Sequence, residues 1–380
     1  MESGPLPEPL RPGDLIAFPA PSCSAATEPY TKRFHSAMRK FQRLGYRCMP
    51  GPNAYKTDLA GYSADPISQG TELTALFQDP SVKALFSIGG GELMCDAMDH
   101  VDFEVLRKAP PKWYMGYSDN THMTFLMPTL LDKAAVYGPC APEFGMKFWD
   151  PSLSDAFALV TGEKNTFTTY DKWEREGRRG TEHPLASFRK KKETVIYSEN
   201  WDGKPLSGRF IGGCLDILQM YPGTKFDRVK EFADRYQKDG IIWFIESCDL
   251  STLSMSRALW QMREAGWFRH VKAFLVGRPA CFEDESWGIT HFEAVMREVR
   301  RIEREEERET GVPRKIPVIM DLDIGHLKPM VPMLSGGFGT VSRSLPPKRT
   351  ITAVETLDCG TKAEIRRIQE EKIEFCFERK

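Results

Sequence analysis

Short apolar runs alternate with amphipathic segments in the N-terminal part of the chain. Leu15–Ala20, Lys83–Ile88 and Lys112–Tyr117 are brief, mainly apolar runs followed by turn-forming or polar residues, which is typical of buried strands. Between the first two, Tyr30–Gly45 has apolar residues at helical spacing and ends on a glycine, which predicts an amphipathic helix. Strands that alternate with helices predict a largely parallel sheet with helices on both faces.

The C-terminal part repeats this alternation after an irregular segment. Ile241–Ile245, Ala273–Val276 and Val318–Leu322 are apolar runs that predict buried strands, and Thr290–Thr310 has the periodicity of a helix. Thr166–Leu206 is crowded with charged, glycine and aromatic residues, and we interpret it as a connection with an excursion over the surface. The predicted parts are an N-terminal domain (1–165), the connecting segment (166–206), a C-terminal domain (207–345) and a tail (346–380).

The composition is that of a globular protein. The chain has 380 residues, 41% of them hydrophobic and 28% charged, a length that favours two domains. A net charge of −1 disfavours a nucleic-acid partner, because nucleic-acid binders usually carry a basic excess. The nine cysteines form no C-x-x-C pair, which argues against a zinc cluster or a disulfide framework and favours free thiols in a reducing compartment.

Neither a targeting segment nor a membrane span is expected. Met1–Pro12 lacks the basic segment and the apolar run of a signal peptide. No stretch of the sequence reaches the roughly 18 consecutive apolar residues that a membrane-spanning helix needs. We therefore expect a cytoplasmic protein without a membrane partner.

A serine follows the third apolar run of the N-terminal domain. Gly116 lies two residues before Ser118 and allows a sharp turn from strand to helix. Such a turn holds the hydroxyl at the carboxyl end of the strand, beside backbone N–H groups at the start of a helix that stabilise an oxyanion. The alternative interpretation is that Ser118 or Asp119 only caps this helix.

A glycine turn follows the preceding apolar run. Gly89, Gly90 and Gly91 are consecutive, and a turn of this kind exposes backbone N–H groups to an oxyanion or a phosphate. The segment matches neither G-x-G-x-x-G nor the phosphate-binding loop that ends in G-K-S or G-K-T. A purely structural turn is therefore an equal alternative.

An acid and a histidine follow two apolar runs of the C-terminal domain. Glu246 lies at the sheet edge where ligands bind, with a helix cap or an ion pair with Arg257 as its alternative role. His326 lies beside a glycine, and its alternative role is that of a packed or solvated side chain. Together with Ser118 they supply a nucleophile, a base and a carboxylate that orients the base, without a metal.

These residues are part of an ordered set of motifs through which the chain resembles the LD-carboxypeptidases of serine type. The resemblance extends from about Arg11 to Gly339, and each motif is weak alone whereas their order is specific. The motifs are Arg11–Asp14, Ala20–Ser22, Ile88–Gly90, Gly116–Thr121, Tyr137–Pro139, Gly208–Leu215, Glu246, Val276–Pro279 and Gly325–His326.

The resemblance implies an α/β fold with two domains. An N-terminal parallel-sheet domain of flavodoxin or Rossmann type carries the serine, a C-terminal α/β domain with a mixed sheet carries the acid and the base, and the active site lies between them. A triad of Ser118, Glu246 and His326 is implied, with an oxyanion hole formed by backbone N–H groups of Gly90 and Asp119. The resemblance implies a homodimer and neither a metal nor a cofactor.

The resemblance leaves two substrate classes open. The implied enzyme cuts an amide bond near a free carboxylate, in a murein tetrapeptide or, in the microcin-immunity branch, in a peptidyl- or aminoacyl-nucleotide. The long aromatic segment favours the second class, with Trp173 and Trp201 as candidates for stacking on the base and loop packing as their alternative role. Asn120 replaces an apolar residue more usual in the family, and we place it with Gly91 among the substrate-binding candidates.

Two other functions are kept as alternatives. An esterase of the α/β-hydrolase type also orders serine, acid and histidine along the chain, but position 120 is Asn and the G-x-S-x-G pattern fails. A non-catalytic binding protein would use the glycine turns to hold a phosphate or a carboxylate. The presence of all three triad candidates argues against this second alternative.

Overall fold

Two sheets and the helices around them make up the computed structural model of the chain. None of the helices in the part that the structure describes is long and apolar enough to cross a membrane. Some residues of each predicted part, namely the two domains, the connecting segment and the tail, lie outside the described residues. The described residues are 6–58, 61–175, 180–281, 288–344, 349–356, 362–369 and 372–378.

The first sheet consists of five parallel strands and one antiparallel strand at its edge. Its members are β1 (Leu15–Phe18), β2 (Arg47–Pro50), β3 (Val82–Phe86), β4 (Trp113–Gly116), β5 (Ala135–Tyr137) and β14 (Met333–Ser335). Their order is β14-β5-β4-β3-β1-β2. β1, β3, β4 and β5 are almost wholly buried, as apolar runs without alternation predict for a sheet covered on both faces.

The second sheet is mixed, with a parallel centre and antiparallel edges. Its members are β6 (Thr166–Thr168), β9 (Val195–Glu199), β10 (Leu206–Cys214), β11 (Ile241–Glu246), β12 (Val271–Gly277), β13 (Val318–Leu322), β15 (Phe338–Arg343), β16 (Arg349–Thr356), β17 (Lys362–Gln369) and β18 (Ile373–Phe377). Their order is β16-β17-β9-β13-β12-β11-β10-β15-β18-β6, and β10 to β13 run parallel. A separate hairpin pairs β7 (Lys172–Trp173) with β8 (Lys192–Glu193).

Helix ends follow local sequence signals. Asp65 caps the second helix by accepting the N–H of Ser68, and Thr290 forms a capping box with Glu293 at the start of the last helix. The helices are α1 (Tyr30–Arg43), α2 (Pro66–Gln78), α3 (Met94–Met98), α4 (Phe103–Lys108), α5 (Thr121–Leu131), α6 (Pro151–Thr161), α7 (Leu215–Leu218), α8 (Val229–Arg235), α9 (Thr252–Glu264) and α10 (His291–Thr310).

Helix α5 is the element that joins the two sheets. Ten of its residues are buried, and it contacts β4 and β5 of the first sheet as well as β10 of the second. Phe125 of α5 stacks on Trp267 at a ring distance of 5.3 Å and packs against Trp243 of β11. The start of α5 and the short turn before it, Ser118–Asn120, are therefore held at the junction of the two sheets.

The predicted α/β fold, with a parallel N-terminal sheet and a mixed C-terminal sheet, is confirmed. Val318–Leu322 is a strand with the predicted bounds, and the predicted helix Thr290–Thr310 begins one residue later, at His291. The boundaries proposed for the domains stay a prediction.

The interpretation of Thr166–Leu206 as a connection over the surface is wrong in part. Strand β9 of this segment pairs with β13 and β17, and the side chains of Phe167 and Ile196 are buried in the core. The tail also contributes strands, among them β18, which pairs with β15. The physical reason is that these short strands pair with partners distant in sequence, so that local periodicity carries little of the signal.

Candidate active site

Ser118 lies on a strained turn at the carboxyl end of β4. The residue has a φ of +64°, a left-handed conformation that is uncommon for a residue other than glycine. Non-glycine residues in this region cluster at functional sites, where the surrounding structure holds them. A Cβ at Gly116 would lie 2.7 Å from Cγ of Asn120, so that only glycine fits at the end of the strand.

The glycine turn after β3 lies directly against Ser118. An added Cβ at Gly90 would lie 2.9 Å from Cβ and 3.1 Å from Oγ of Ser118. The same point lies 3.6 Å from the backbone nitrogen of Asp119. The structure thus brings Gly90 and Asp119 to the hydroxyl, as their predicted role in an oxyanion hole requires.

Replacing Gly90 by alanine is expected to lower kcat by roughly 10²-fold. The new methyl group displaces the serine hydroxyl, and misplacing a reacting group lowers the rate by about this factor. The matched control is Gly180→Ala, where an added Cβ meets no atom of the described residues within 4 Å. Steady-state kinetics of the two variants test this, and equal kcat values for Gly90→Ala and the control would contradict the placement of the turn.

Glu246 and His326 form a close acid–base pair. Nδ1 of His326 lies 3.0 Å from Oε1 and 2.9 Å from Oε2 of Glu246. Glu246 is the last residue of β11 and is 1% exposed, whereas His326 follows β13 and is only partly buried. Gly325, with a φ of +100°, allows the close approach, since an added Cβ would lie 2.4 Å from Cδ of Glu246.

The pair shifts both pKa values in the direction that an ion pair requires. Burial disfavours the charged imidazole, but the carboxylate of Glu246 and hydrogen bonds outweigh it and raise the pKa of His326 to about 10. Burial alone would raise the pKa of Glu246, because it disfavours the charged carboxylate. The charge and hydrogen bond of His326 outweigh this effect and keep the pKa of Glu246 below its ordinary value. A cation on His326 is therefore strongly stabilised, as a general base in mid-reaction needs.

Tyr137 connects this pair to the serine and was missed as a site residue. Its hydroxyl donates a hydrogen bond to Oε1 of Glu246 and accepts one from the N–H of Ser118 at 3.3 Å. Burial and the nearby carboxylate raise the pKa of Tyr137 well above its ordinary value, so that the hydroxyl keeps its proton. The tyrosine ends β5 of the first sheet and so links the two sheets at the site.

Replacing Tyr137 by phenylalanine is expected to lower kcat about 10- to 100-fold, the effect of losing one hydrogen bond to a charged group. Tyr236→Phe is the matched control, because its hydroxyl also donates to a carboxylate, that of Asp132 at 2.6 Å, away from the cavity. Unchanged kcat in Tyr137→Phe, measured on folded protein, would show that the serine and Glu246 hold their positions without this link.

A cavity of about 520 Å³ brings the predicted residues together. Ser118, Gly90, Gly91 and His326 all line it, and Glu246 lies behind His326. Ile88, Gly89 and Tyr117, which belong to the sequence motifs, also line it. The remaining lining residues, which no motif contained, are Cys23, Ser24, Tyr30, Arg33, Cys140, Pro142, Glu143 and Met146.

The side chains of Asp119 and Asn120 hold the turn from behind. Asp119 accepts hydrogen bonds from Oγ of Ser22 at 2.5 Å and from the N–H of Met94 at 3.0 Å. Asn120 is fully buried and donates to the carbonyl of Gly89 at 2.9 Å. Asn120 therefore ties the serine turn to the glycine turn, a role that does not require contact with a substrate.

The two candidate tryptophans are not among the residues that line this cavity. Trp201 is 8% exposed, packs in the core and donates its indole N–H to the carbonyl of Lys204 at 2.9 Å. Trp173 lies in the hairpin, where the guanidinium of Arg278 is 5.2 Å from its ring centre. Within one chain, the structure does not bring either indole to Ser118.

Two family models match this chain. The model described as the LD-carboxypeptidase N-terminal domain matches residues 16–138, and the one described as the LD-carboxypeptidase C-terminal domain matches residues 207–341. A protein of Vibrio cholerae named "Putative carboxypeptidase" is 25% identical over 346 residues, which cover 87% of this chain and 92% of the relative. A Bacillus subtilis protein of the same description is also 25% identical, and the match covers 86% of this chain and 93% of that protein.

Solved structures share the fold. The MccF-like protein from Bacillus anthracis is 22% identical, with a TM-score of 0.71 over 96% of this chain and 99% of that one. The structure of MccF in complex with glutamyl sulfamoyl guanosine is 21% identical, with a TM-score of 0.72 over 96% and 98%. MccF has also been solved in complex with aspartyl sulfamoyl adenosine.

Proposed function

This chain belongs to the LD-carboxypeptidase family, and from that premise we propose that it is a serine hydrolase that cuts an amide bond near a free carboxylate. One observation carries the proposal: the strained Ser118 and His326, which Glu246 holds from behind, line a single cavity, with the glycine turn against the serine. Such an arrangement is that of a nucleophile with its base and the group that orients the base.

The proposed reaction begins with attack of the Ser118 hydroxyl on the substrate carbonyl. His326 takes the proton, and the Glu246 carboxylate 2.9 Å away stabilises the imidazolium that forms. The N–H groups of Gly90 and Asp119 donate to the oxyanion. His326 then returns its proton to the leaving amine, and water, activated in the same way, releases the acyl group from Ser118.

We propose a peptidyl- or aminoacyl-nucleotide as the substrate, with a murein tetrapeptide as the second candidate. The first is supported by the fold shared with MccF, which has been solved with two aminoacyl sulfamoyl nucleosides. The second is favoured by the positions of Trp173 and Trp201, since neither lines the cavity to stack on a base. A homodimer in the cytoplasm is likewise part of the proposal.

A side-by-side hydrolysis assay separates the two candidates. The substrates are an L,D-linked murein tetrapeptide and aspartyl sulfamoyl adenosine, with Ser118→Ala as the blank. Release of aspartate alone supports the nucleotide class, and release of D-alanine alone supports the murein class. Turnover of simple acyl esters without any amide hydrolysis would overturn the proposed function in favour of an esterase.

A further inference from the structure

A thiol lies beside the Glu246–His326 pair, and the proposed hydrolysis does not use it. Cys214 ends β10 and is the register partner of Glu246 on the neighbouring parallel strand β11. Sγ of Cys214, a carboxylate oxygen of Glu246 and a ring nitrogen of His326 all lie within 4.8 Å of one another. Three different potential metal ligands thus converge at the carboxyl ends of the central strands.

We propose that Cys214, Glu246 and His326 form an inhibitory site for a soft divalent metal ion of the zinc type. The ion takes the place of the proton between Glu246 and His326 and so removes the base that Ser118 needs. The proposal that this site binds a metal ion does not depend on the proposed function. The proposal that the ion inhibits the protein rests on the proposed function.

The ligand set fits zinc by chemistry and by size. Zinc binds thiolate, imidazole and carboxylate at about 2.0 to 2.3 Å, which places tetrahedral ligand atoms roughly 3.3 to 3.7 Å apart. In the structure, Nδ1 of His326 lies 2.9 Å from Oε2 of Glu246, and all three ligand atoms lie within 4.8 Å of one another. The separation that zinc requires falls between these two values, so small side-chain movements are enough to bind the ion. The hard ions Mg²⁺ and Ca²⁺ prefer all-oxygen sites, and a thiol disfavours them.

The cluster is buried on one side and open on the other. Cys214 and Glu246 are 2% and 1% exposed, whereas His326 lines the cavity and gives the ion a path of entry. Three protein ligands leave a fourth position for water. Asp216 holds the thiol in its protonated form, since its Oδ2 accepts the S–H at 3.4 Å and the N–H of Cys248 at 3.0 Å. Burial and the carboxylates of Glu246 and Asp216 raise the pKa of Cys214 well above its ordinary value, so that the metal ion has to displace this proton.

Binding exchanges protons for the ion without any redox step. The S–H bond of Cys214 breaks, its proton passes to the solvent, and a sulfur–metal bond forms. A proton held by His326 is released in the same way, while Glu246 coordinates as the carboxylate. Metal binding is therefore expected to release protons and to tighten as the pH rises.

Cobalt substitution tests the site without any assay of hydrolysis. Co²⁺ added to the full-length wild-type protein is expected to bind one ion per chain and to give a sulfur-to-cobalt charge-transfer band. The band is expected to vanish in both Cys214→Ala and Cys214→Ser, the second of which keeps the size of the buried side chain. Cys23→Ala, which removes a cavity-lining thiol outside the cluster, is the matched control and keeps the band.

Two results of the cobalt titration would overturn the site. One is a wild-type protein without the band. The other is a band that persists in the folded Cys214 variants, which would assign the sulfur ligand to another thiol, such as that of Cys248 near His326.

Inhibition is tested separately on whichever substrate the wild-type protein turns over. Zn²⁺ is expected to inhibit reversibly, with activity restored by a chelator, and to require at least tenfold more metal in Cys214→Ser. Mg²⁺ at equal concentration is the control. A protein that binds Co²⁺ through Cys214 yet hydrolyses its substrate unchanged with Zn²⁺ bound would overturn the inhibitory role. If no substrate is turned over, the proposed function fails and the cobalt result still decides the metal site.

Discussion

Ser118→Ala is expected to lower kcat on the true substrate by on the order of 10⁴- to 10⁶-fold, the range found when the nucleophile of a serine hydrolase is removed. The variant keeps the glycine turn, the Glu246–His326 pair and the cavity, so that substrate binding survives. The physical reason is that, among the described residues, Ser118 is the one whose hydroxyl lies against Gly90, on a turn with a φ of +64°. Single-turnover kinetics with excess enzyme measure the loss without interference from slow product release.

The matched control is Ser24→Ala, because the Ser24 side chain also lines the cavity but its hydroxyl donates to the carbonyl of Lys56. This control is expected to lose less than about tenfold, because the hydroxyl makes only neutral hydrogen bonds, to the carbonyl of Lys56 and from the N–H of Ala26, and touches neither Glu246 nor His326. Thermal unfolding of both variants shows whether the fold is kept. A Ser118→Ala protein that hydrolyses an amide at the wild-type rate would rule out a serine nucleophile at this position.

The positions of the three triad candidates followed from the sequence because each lies at, or shortly after, the carboxyl end of a buried strand. The carboxyl ends of parallel strands meet at one edge of a sheet, so that an apolar run with a polar residue after it locates that residue well. Glu246 at the end of β11 and His326 after β13 are separated by 80 residues in the chain and are in contact for this reason. Glycines beside His326 and before Ser118 marked the two places where backbone and side chains approach closely.

The role of Tyr137 could not be predicted in the same way. Its neighbours Gly138 and Pro139 marked a motif, but its hydroxyl spans two sheets to reach Glu246, 109 residues away. The sequence predicts that a tyrosine at the end of a buried strand packs in the core, and the ring of Tyr137 is indeed fully buried. Only the three-dimensional arrangement of the two sheets shows that the polar end of this ring faces the acid.

The edges of the second sheet were also beyond local sequence patterns. Strand β6 pairs with β18, with Thr168 opposite Glu374, so that residues about 200 positions apart share one edge. The charged residues on either side of β9 weaken its strand signal in the sequence. In the fold, its residues alternate clearly between buried and half-buried. The same long-range packing places Trp201 in the core, where a count of aromatic residues in a polar segment suggested a ligand contact.

Glu246→Gln is expected to lower kcat/KM by roughly 10⁴-fold, because an amide neither holds the imidazole in the correct tautomer nor stabilises its cation. The change keeps the size of a side chain that Gly325 approaches closely, so the fold is expected to survive. Steady-state kinetics and thermal unfolding of this variant give the two readouts. A loss below about tenfold in folded protein would remove Glu246 from the proposed mechanism.

The pH profile of the same variant gives an independent test through the charge of Glu246. In the wild-type protein, burial lowers the pKa of His326, but the carboxylate of Glu246 raises it by more. The pKa of His326 is therefore about 10, against an ordinary 6.5. A general base works only when unprotonated, so the acid limb of kcat/KM is expected above the range of an ordinary histidine, with activity rising as the pH rises. Glu246→Gln removes the charge and leaves the burial, which moves this limb to lower pH. An acid limb that stays in place, or moves to higher pH, would mean that another group controls the ionisation of the base.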